Sequence, residues 1–387
     1  MRSPNIRYLP AVDHLRAFAA LLIVFYHGLH VFSYQARFGR DFATDHWLQP
    51  ANPLLAALAE GHTAVALFMV LSGFILTVGA LEGGVNWVGF IRNRLLRTYP
   101  LFLLVLFAGI AAAPQNFSLA AVATSLFAFG NEAGAFVAPP FTSMLWTIAI
   151  EWQFYLVFPL LVAVLARGWL RQLAGFIGVL LLLRLAAVVA GGNARDISYL
   201  QILGRLDQFL LGMWAAWCWR QWPMSPRAGA LLAALALAAI LAALWGFNAL
   251  GGWPTTPAWK ILVPTVEGGL WTAFLLGYVA CANAAVGGWS RLLARIGEVS
   301  YSIYLLHFVV IWSLLRLGLP QTFTGGYELD ALLNTALIAL PITLMVSALS
   351  YACVERPFLR LRGNYHRDAA SSGVASNAAA PCAVRLD

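Results

Sequence analysis

Long apolar runs recur from one end of this chain to the other, and they constrain its fold more than any other feature. Each holds about 18 to 20 predominantly apolar residues, enough to cross about 30 Å of hydrocarbon as a helix. In lipid every backbone N–H and C=O must be paired internally, as an α-helix does within one segment. The composition agrees, since 61% of the residues are hydrophobic and 10% are charged. We therefore predict an all-α, polytopic integral membrane bundle.

The lengths of these runs, with the flanking proline, glycine and charged residues, predict about ten transmembrane helices. Their predicted bounds are 15–33, 62–81, 98–114, 143–165, 172–191, 200–219, 228–246, 264–283, 299–317 and 331–354. A further apolar run at 117–130 is too short to cross comfortably. We expect it to form a re-entrant or surface helix within an outward-facing segment at about 115–142.

The basic residues concentrate in the short connections between the apolar runs. Most of them fall on one side of the membrane if 117–130 does not cross, and the positive-inside rule makes that side cytoplasmic. This arrangement predicts that both termini are cytoplasmic. It also accounts for the formal net charge of +8, so we expect membrane lipid as a partner and no nucleic acid.

We predict one membrane domain over residues 1–363. The remaining residues, 364–387, are small, polar and rich in alanine and serine, which predicts a disordered cytoplasmic tail. The four cysteines are far apart and lack metal-ligand spacing. We therefore expect neither a disulfide framework nor a bound metal.

The first apolar run carries Arg16 near its start and His27 well inside it. Because they are eleven positions apart, about three helical turns, they share one face, with His27 about 16 Å further along the axis. An imidazole near mid-membrane needs a protein interior or a wet cavity. The pair therefore fits a channel with a phosphate-binding arginine at its mouth and a general base at its floor. A topogenic arginine and a packing histidine fit the spacing equally well.

Arg94 and Arg97 are predicted at the cytoplasmic entrance of the third helix. Three residues apart, they lie on neighbouring faces and could hold a phosphate together with Arg16. They could equally be arginines that only set the membrane topology.

Glu151 lies well inside an apolar run, where an ionised side chain costs about 2.5 to 3.5 kcal/mol or more. Some interaction must therefore compensate. Glu151 could orient or ionise His27, or it could join two helices through an arginine such as Arg184. Trp146 and Thr147, and separately Ser72, fit either helix packing or a site role.

Several stretches resemble the membrane-bound acyltransferase-3 family, which includes O-antigen and exopolysaccharide O-acetylases and macrolide acyltransferases. The matching stretches occur in order from about residue 8 to 360. They are the Arg-x10-His spacing of Arg16 and His27, LFMVLSGF at 67–74, RLLRTYP at 94–100, LWTIAIEWQFY at 145–155, GEVSYSIYLLH at 297–307 and ERPF at 355–358. Three positions depart from the family pattern: His14 replaces glycine, Met69 replaces phenylalanine and Thr147 replaces serine. None of these changes removes a proposed catalytic group.

The resemblance implies a multi-pass enzyme of the bacterial inner membrane. It would transfer an acyl group, commonly acetyl, from cytoplasmic acyl-CoA to a hydroxyl of a polysaccharide, lipid-linked saccharide or glycoside. The implied catalytic residues are His27 and Glu151, and the implied donor-binding residues are Arg16, Arg94 and Arg97. Substrate contact or support falls to Ser72, Trp146, Thr147, Tyr301 and His307. Direct transfer with His27 as base and an acyl-histidine intermediate both remain open.

The main alternative is a transporter or flippase of lipid-linked saccharides, because intramembrane charges also mark translocation paths. Paired halves and broken helices, which are common in transporters, are not evident in the sequence. A membrane scaffold would explain the apolar runs but would leave Arg16, His27 and Glu151 without a role.

Overall fold

The computed structural model describes Asn5 and residues 8–83, 85–127, 129–131, 136–282 and 287–366. In this part of the chain the regular secondary structure is helical and no strand occurs, which confirms the all-α prediction. The α-helices are α1 Pro10–Phe38, α2 Pro53–Ala59, α3 Thr63–Gly83, α4 Trp87–Ala112, α5 Leu119–Leu126, α6 Leu145–Leu165, α7 Trp169–Val189, α8 Ala194–Leu200, α9 Ile202–Gln221, α10 Pro226–Ala249, α11 Val263–Ala282, α12 Gly288–Glu298, α13 Ser300–Arg316, α14 Tyr327–Asn334, α15 Leu340–Ser350 and α16 Arg356–Leu359. Two π-helical segments, Thr335–Ala339 and Tyr351–Glu355, connect the last three helices.

Eight helices in the described residues are long and apolar enough to cross a membrane. They are Pro10–Phe38, Thr63–Glu82, Trp87–Ala112, Leu145–Leu165, Trp169–Val189, Pro226–Ala249, Ala258–Ala282 and Tyr327–Leu359. A ninth is obtained if α12 and α13, which meet at a 68° bend, form one span. The protein is thus a multi-pass membrane protein with eight or nine apolar spans by this measure, rather than the ten expected.

The remaining predicted span corresponds to α9, which has the length of a span at 20 residues but is less apolar. Arg205 and Asp207 lie in its first two turns and are 1% and 0% exposed. They are covered because α9 packs against α3, α7 and α11. In α7, Arg184 forms an ion pair with Asp207 at 3.0 Å. Neighbouring helices therefore offset the free-energy cost of placing these charges within the membrane.

Helices α3 and α9 approach each other closely through two glycines. A Cβ atom at Gly73 would overlap the backbone of Phe209, and a Cβ atom at Gly212 would overlap the backbone of Val70. Only glycine permits such backbone contact, which is a common way to pack helices in lipid. The Gly73 contact also fixes the neighbouring Ser72 relative to the rest of the bundle.

Helix α1 packs against α3, α12, α13 and α14. Pro10 occupies its first turn, and Gly39, with a φ of 63°, ends it. Helix α4 begins at Trp87, where the Asn86 side chain accepts a hydrogen bond from the N–H of Gly89. Arg94 is seven residues inside α4, about 10 Å along its axis, because the helix begins well before the predicted start of the span at residue 98.

The segment predicted to face outward contains α5, whose eight residues cover about 12 Å and are too short to cross a bilayer. Residues 128 and 132–135 of that segment lie outside the described residues. At the start of the predicted tail, Tyr365 is packed against the bundle: it is 2% exposed, and its carbonyl accepts a hydrogen bond from Asn86 N–H at 2.8 Å. Residues 367–387 lie outside the described residues.

Candidate active site

A cavity of about 430 Å³ lies at the end of the bundle where α1 and α4 begin. We call it the arginine cavity because its wall includes Arg16, Arg94, Arg97, Arg291, Arg295 and Arg362. Two acids, Asp13 and Glu298, also line it. Among the described residues, Asp13 is the one acid within ion-pairing distance of any of the six, 3.0 Å from Arg16. The wall is therefore strongly basic and suits a ligand with several negative charges.

Arg362, which follows the last helix, shows the effect of crowding these charges. Its burial, together with the positive charges of Arg97 and Arg94, lowers the pKa of Arg362 to about 10. A guanidinium with that pKa stays protonated at neutral pH. An anion bound in the arginine cavity would offset the repulsion among these side chains.

A second cavity, of about 100 Å³, continues into the bundle. Arg16, Arg94 and Arg97 line both cavities, so these guanidinium groups stand where the two meet. We call the second space the deep cavity. Its wall is mainly apolar, with polar groups from Ser72, Thr98, Thr147, Glu151, Tyr155, Ser300, Tyr301 and Tyr304.

Hydrogen bonds orient the polar groups of the deep cavity. The Ser72 hydroxyl in α3 donates to Oε1 of Glu151 in α6 at 2.9 Å. The Tyr301 hydroxyl in α13 donates to the backbone carbonyl of Thr98 in α4 at 2.7 Å. The Thr147 hydroxyl donates to a backbone carbonyl one turn earlier at 3.1 Å. Four helices therefore contribute to one small polar group of side chains.

His27 and His307 form a pair beyond the deep cavity. Nδ1 of His27 in α1 is 2.9 Å from Nε2 of His307 in α13, although the residues are 280 positions apart in sequence. His307 is fully buried, whereas His27 is half-buried. Neither imidazole lines the arginine cavity or the deep cavity. The expected common channel for Arg16 and His27 is therefore not found, because only Arg16 lies on the two cavity walls.

The hydrogen bonds of this pair determine which nitrogen of each ring carries a proton. Nδ1 of His307 is 3.0 Å from the carbonyl oxygen of Ile303. A carbonyl oxygen only accepts, so in the neutral His307 ring Nδ1 donates and Nε2 accepts. Nδ1 of His27 faces that Nε2 and, at 3.2 Å, the carbonyl oxygen of Ile23. Nδ1 of His27 must therefore donate, which leaves its Nε2 with a free lone pair.

One face of α13 connects the deep cavity with the histidine pair. Ser300 and Tyr304 line the deep cavity, and His307 follows them at helical spacing on the same face. The Tyr304 and His307 ring centroids are 6.0 Å apart. The histidine pair thus lies one helical turn beyond the end of the deep cavity.

Seven of the predicted site residues line the deep cavity: Arg16, Ser72, Arg94, Arg97, Thr147, Glu151 and Tyr301. Trp146 does not line it; the guanidinium of Arg205 lies 5.7 Å from the centroid of its ring. The predicted contact between Glu151 and His27 is not found among the described residues, since His27 pairs with His307 instead. The alternative contact of Glu151 with Arg184 is wrong, because Arg184 pairs with Asp207.

Sequence reasoning gave no site role to Tyr304, Arg291 or Arg295. Tyr304 precedes His307 by three residues, so helical spacing was the available signal. Arg291 and Arg295 are four residues apart, which places them on one face of a helix. Their side of the bundle becomes evident only from the packing of α12 against α1.

A family model described as an acyltransferase domain matches residues 9–355. The match includes every residue that lines the deep cavity, all residues that line the arginine cavity except Tyr8, Leu359 and Arg362, and the histidine pair. The chain belongs to the acyltransferase-3 family. As a member of that family it is an enzyme that transfers acyl groups, and its apolar helices make it a membrane acyltransferase.

Two relatives illustrate the similarity. This acyltransferase-3 protein is 28% identical to the acyltransferase MdmB of Streptomyces mycarofaciens over 391 residues, which cover 93% of this chain and 94% of MdmB. It is 25% identical to the O-acetyltransferase OatA of Staphylococcus aureus (strain NCTC 8325 / PS 47) over 402 residues, which cover 94% of this chain and 58% of OatA. The chain therefore spans just over half the length of OatA. No solved structure gave a significant match.

Proposed function

We propose that this enzyme is an O-acyltransferase of the bacterial inner membrane, with both termini in the cytoplasm. It takes an acyl group, which we propose to be acetyl, from cytoplasmic acyl-CoA. It transfers that group to a hydroxyl of a cell-surface polysaccharide, lipid-linked saccharide or related glycoside. The observation that carries the proposal is the order of the arginine cavity, the deep cavity and, one helical turn further, the histidine pair along the bundle.

The arginines support acyl-CoA as the donor. The diphosphate of CoA requires several cationic hydrogen-bond donors, which the guanidinium groups of Arg16, Arg94 and Arg97 provide. The pantetheine arm would extend from there into the deep cavity. Hydroxyl and carboxylate groups of Ser72 and Glu151 would hydrogen-bond the amide groups of the arm. We therefore assign Glu151 to positioning of the donor, because its contact with Ser72 lies in the deep cavity that would hold the arm.

The histidine pair supports proton abstraction. From Arg16 to His27 the helix rises about 16 Å, which is comparable to the extended arm of CoA. In the proposed reaction, Nε2 of His27 takes the proton of the acceptor hydroxyl while that oxygen attacks the thioester carbonyl. The new C–O bond forms, the C–S bond breaks, and the proton passes from His27 to the departing CoA thiolate. We expect the Tyr304 ring to turn aside when the acyl group enters.

Membrane vesicles that contain the protein test this proposal directly. They are supplied with radiolabelled acetyl-CoA and a surface polysaccharide, and the label on the polysaccharide is measured. We expect transfer with the unaltered protein and its loss in His27→Ala at equal amounts of inserted protein. Movement of saccharide across the vesicle without transfer of label would instead support a transporter.

The donor assignment has a separate test. Replacement of both Arg94 and Arg97 by alanine should raise the KM for acetyl-CoA while the KM for the acceptor changes little, because both arginines line the cavities assigned to the donor. The reverse pattern would reject this assignment. Glu151→Gln should likewise lower turnover without loss of folded, inserted protein.

A further inference from the structure

Three of the six arginines, Arg291, Arg295 and Arg362, line the arginine cavity but not the deep cavity. Arg362 follows the last helix and is half-buried, whereas Arg291 and Arg295 are exposed and lie together on the face of α12 that lines the arginine cavity. Arg94, by contrast, is 7% exposed and lines both cavities. Besides Arg362, the arginine cavity therefore has two groups of cations: one at its junction with the deep cavity, and one on α12 at its rim.

Helix α12 is fixed relative to α1, so the two groups of arginines keep a defined spacing. A Cβ atom at Gly297 would overlap the backbone of Asp13, which shows that the end of α12 touches α1 directly. At its other end, Nε2 of His14 in α1 lies 3.0 Å from the Ser290 hydroxyl and 3.1 Å from the Ser290 carbonyl. Nδ1 of the same ring contacts the Tyr278 hydroxyl at 3.2 Å. Contacts at both ends thus hold the backbone of α12, which carries the two rim arginines, in place.

The rim arginines have few compensating charges. Within the described ranges, neither Arg291 nor Arg295 forms an ion pair with a carboxylate, and the cavity holds six arginines against the carboxylates of Asp13 and Glu298. A ligand that occupies the junction with one anionic group therefore meets a second cationic site further out. An elongated molecule with two separated phosphate groups fits this distribution.

Acyl-CoA, the proposed donor, carries two separated phosphate groups that match this distribution of cations. The acyl-bearing arm ends at the diphosphate, and the diphosphate leads to a ribose with a separate 3′-phosphate. We infer that Arg291 and Arg295 bind the 3′-phosphate of the donor and thereby select 3′-phosphorylated CoA over 3′-dephospho-CoA. This inference rests on the proposed function. The arginines at the junction would bind the diphosphate common to both compounds.

Binding of CoA and 3′-dephospho-CoA to the full chain in lipid nanodiscs tests this inference without knowledge of the acceptor. Isothermal titration calorimetry should give a Kd for CoA about tenfold or more below that for 3′-dephospho-CoA, since a charge-assisted hydrogen bond to phosphate is lost in the latter. In the double variant Arg291→Ala, Arg295→Ala, the Kd for CoA should rise to that for 3′-dephospho-CoA. The Kd for 3′-dephospho-CoA itself should stay unchanged.

The matched control is the double variant Arg171→Ala, Arg227→Ala. These arginines are also exposed but line neither cavity, so the preference for CoA should persist. Equal Kd values for both compounds in the unaltered protein would overturn the inference and leave acyl-CoA as the donor. Equal weakening of both compounds in the Arg291 and Arg295 variant would also overturn it. Binding of neither compound would refute the proposed donor as well.

Discussion

The histidine pair gives the sharpest prediction, because its two members should differ in importance. His27→Ala removes the nitrogen assigned as general base, and general-base catalysis contributes about 10²- to 10⁴-fold to a rate. His307→Ala removes only the acceptor of one hydrogen bond from His27. The carbonyl of Ile23, 3.2 Å from Nδ1 of His27, remains to hold the same proton.

The loss of one neutral hydrogen bond costs about 0.5 to 1.5 kcal/mol, so kcat for His307→Ala should fall about two- to thirteenfold. His307→Gln should recover most of this loss, since its side-chain carbonyl can accept the proton of Nδ1 of His27. The two substitutions should not be additive. In a His27→Ala background, His307→Ala should lower the residual rate no further, because the ring it orients is absent.

The assay is the initial rate of acetyl transfer in vesicles, normalised to inserted protein and measured across acetyl-CoA concentrations. This separates kcat from KM, and a purely structural defect would reduce the amount of inserted protein instead. The tautomer assignment is refuted if His307→Ala reduces kcat as much as His27→Ala does. It is also refuted if His307→Gln gives no recovery while folding normally.

Three further predictions concern the donor and the packing of the bundle. Arg97→Ala should raise the KM for acetyl-CoA about tenfold or more with little change in the KM for the acceptor, and an unchanged donor KM would contradict the role of the cavity junction. Gly73→Ala should destabilise the protein by about 1 to 3 kcal/mol, seen as a lower Tm in detergent, while Gly178→Ala, whose Cβ meets open space, should not lower it. Asp207→Ala should lower the free energy of unfolding by about 3 to 5 kcal/mol, because it leaves Arg184 charged and buried. The double variant Arg184→Met, Asp207→Leu should lose less stability than Asp207→Ala. An equal or larger loss in the double variant would argue against this ion pair as the cause.

The helical class of this protein follows from its sequence, because lipid excludes unpaired backbone polar groups and apolar runs of about 20 residues are long enough to pair theirs within a single membrane-spanning helix. The gathering of Arg16, Ser72, Arg97 and Glu151 at one cavity was also predictable, but only through the family resemblance. Helical periodicity gives the face on which a side chain lies. It does not give the helix that faces it.

The number of spans was harder to predict from the sequence, since hydropathy does not show whether other helices will cover a charged side chain. Helix α9 carries Arg205 and Asp207, which are buried only because α7 and α11 supply partners such as Arg184. The start of α4 was likewise misjudged: the helix begins at Trp87, before the apolar run itself. Arg94 and Arg97 therefore lie within the helix, where they line the arginine cavity.

Sequence by itself determined the helical membrane architecture, the family and three of the six arginines at the two cavities, because these depend on local composition and ordered motifs. Tertiary structure alone decided that His307 meets His27, that Glu151 contacts Ser72, and that α12 brings Arg291 and Arg295 to the cavity rim. Each of these contacts joins segments far apart in the chain. Their formation depends on how whole helices pack against one another, and no local pattern encodes that packing.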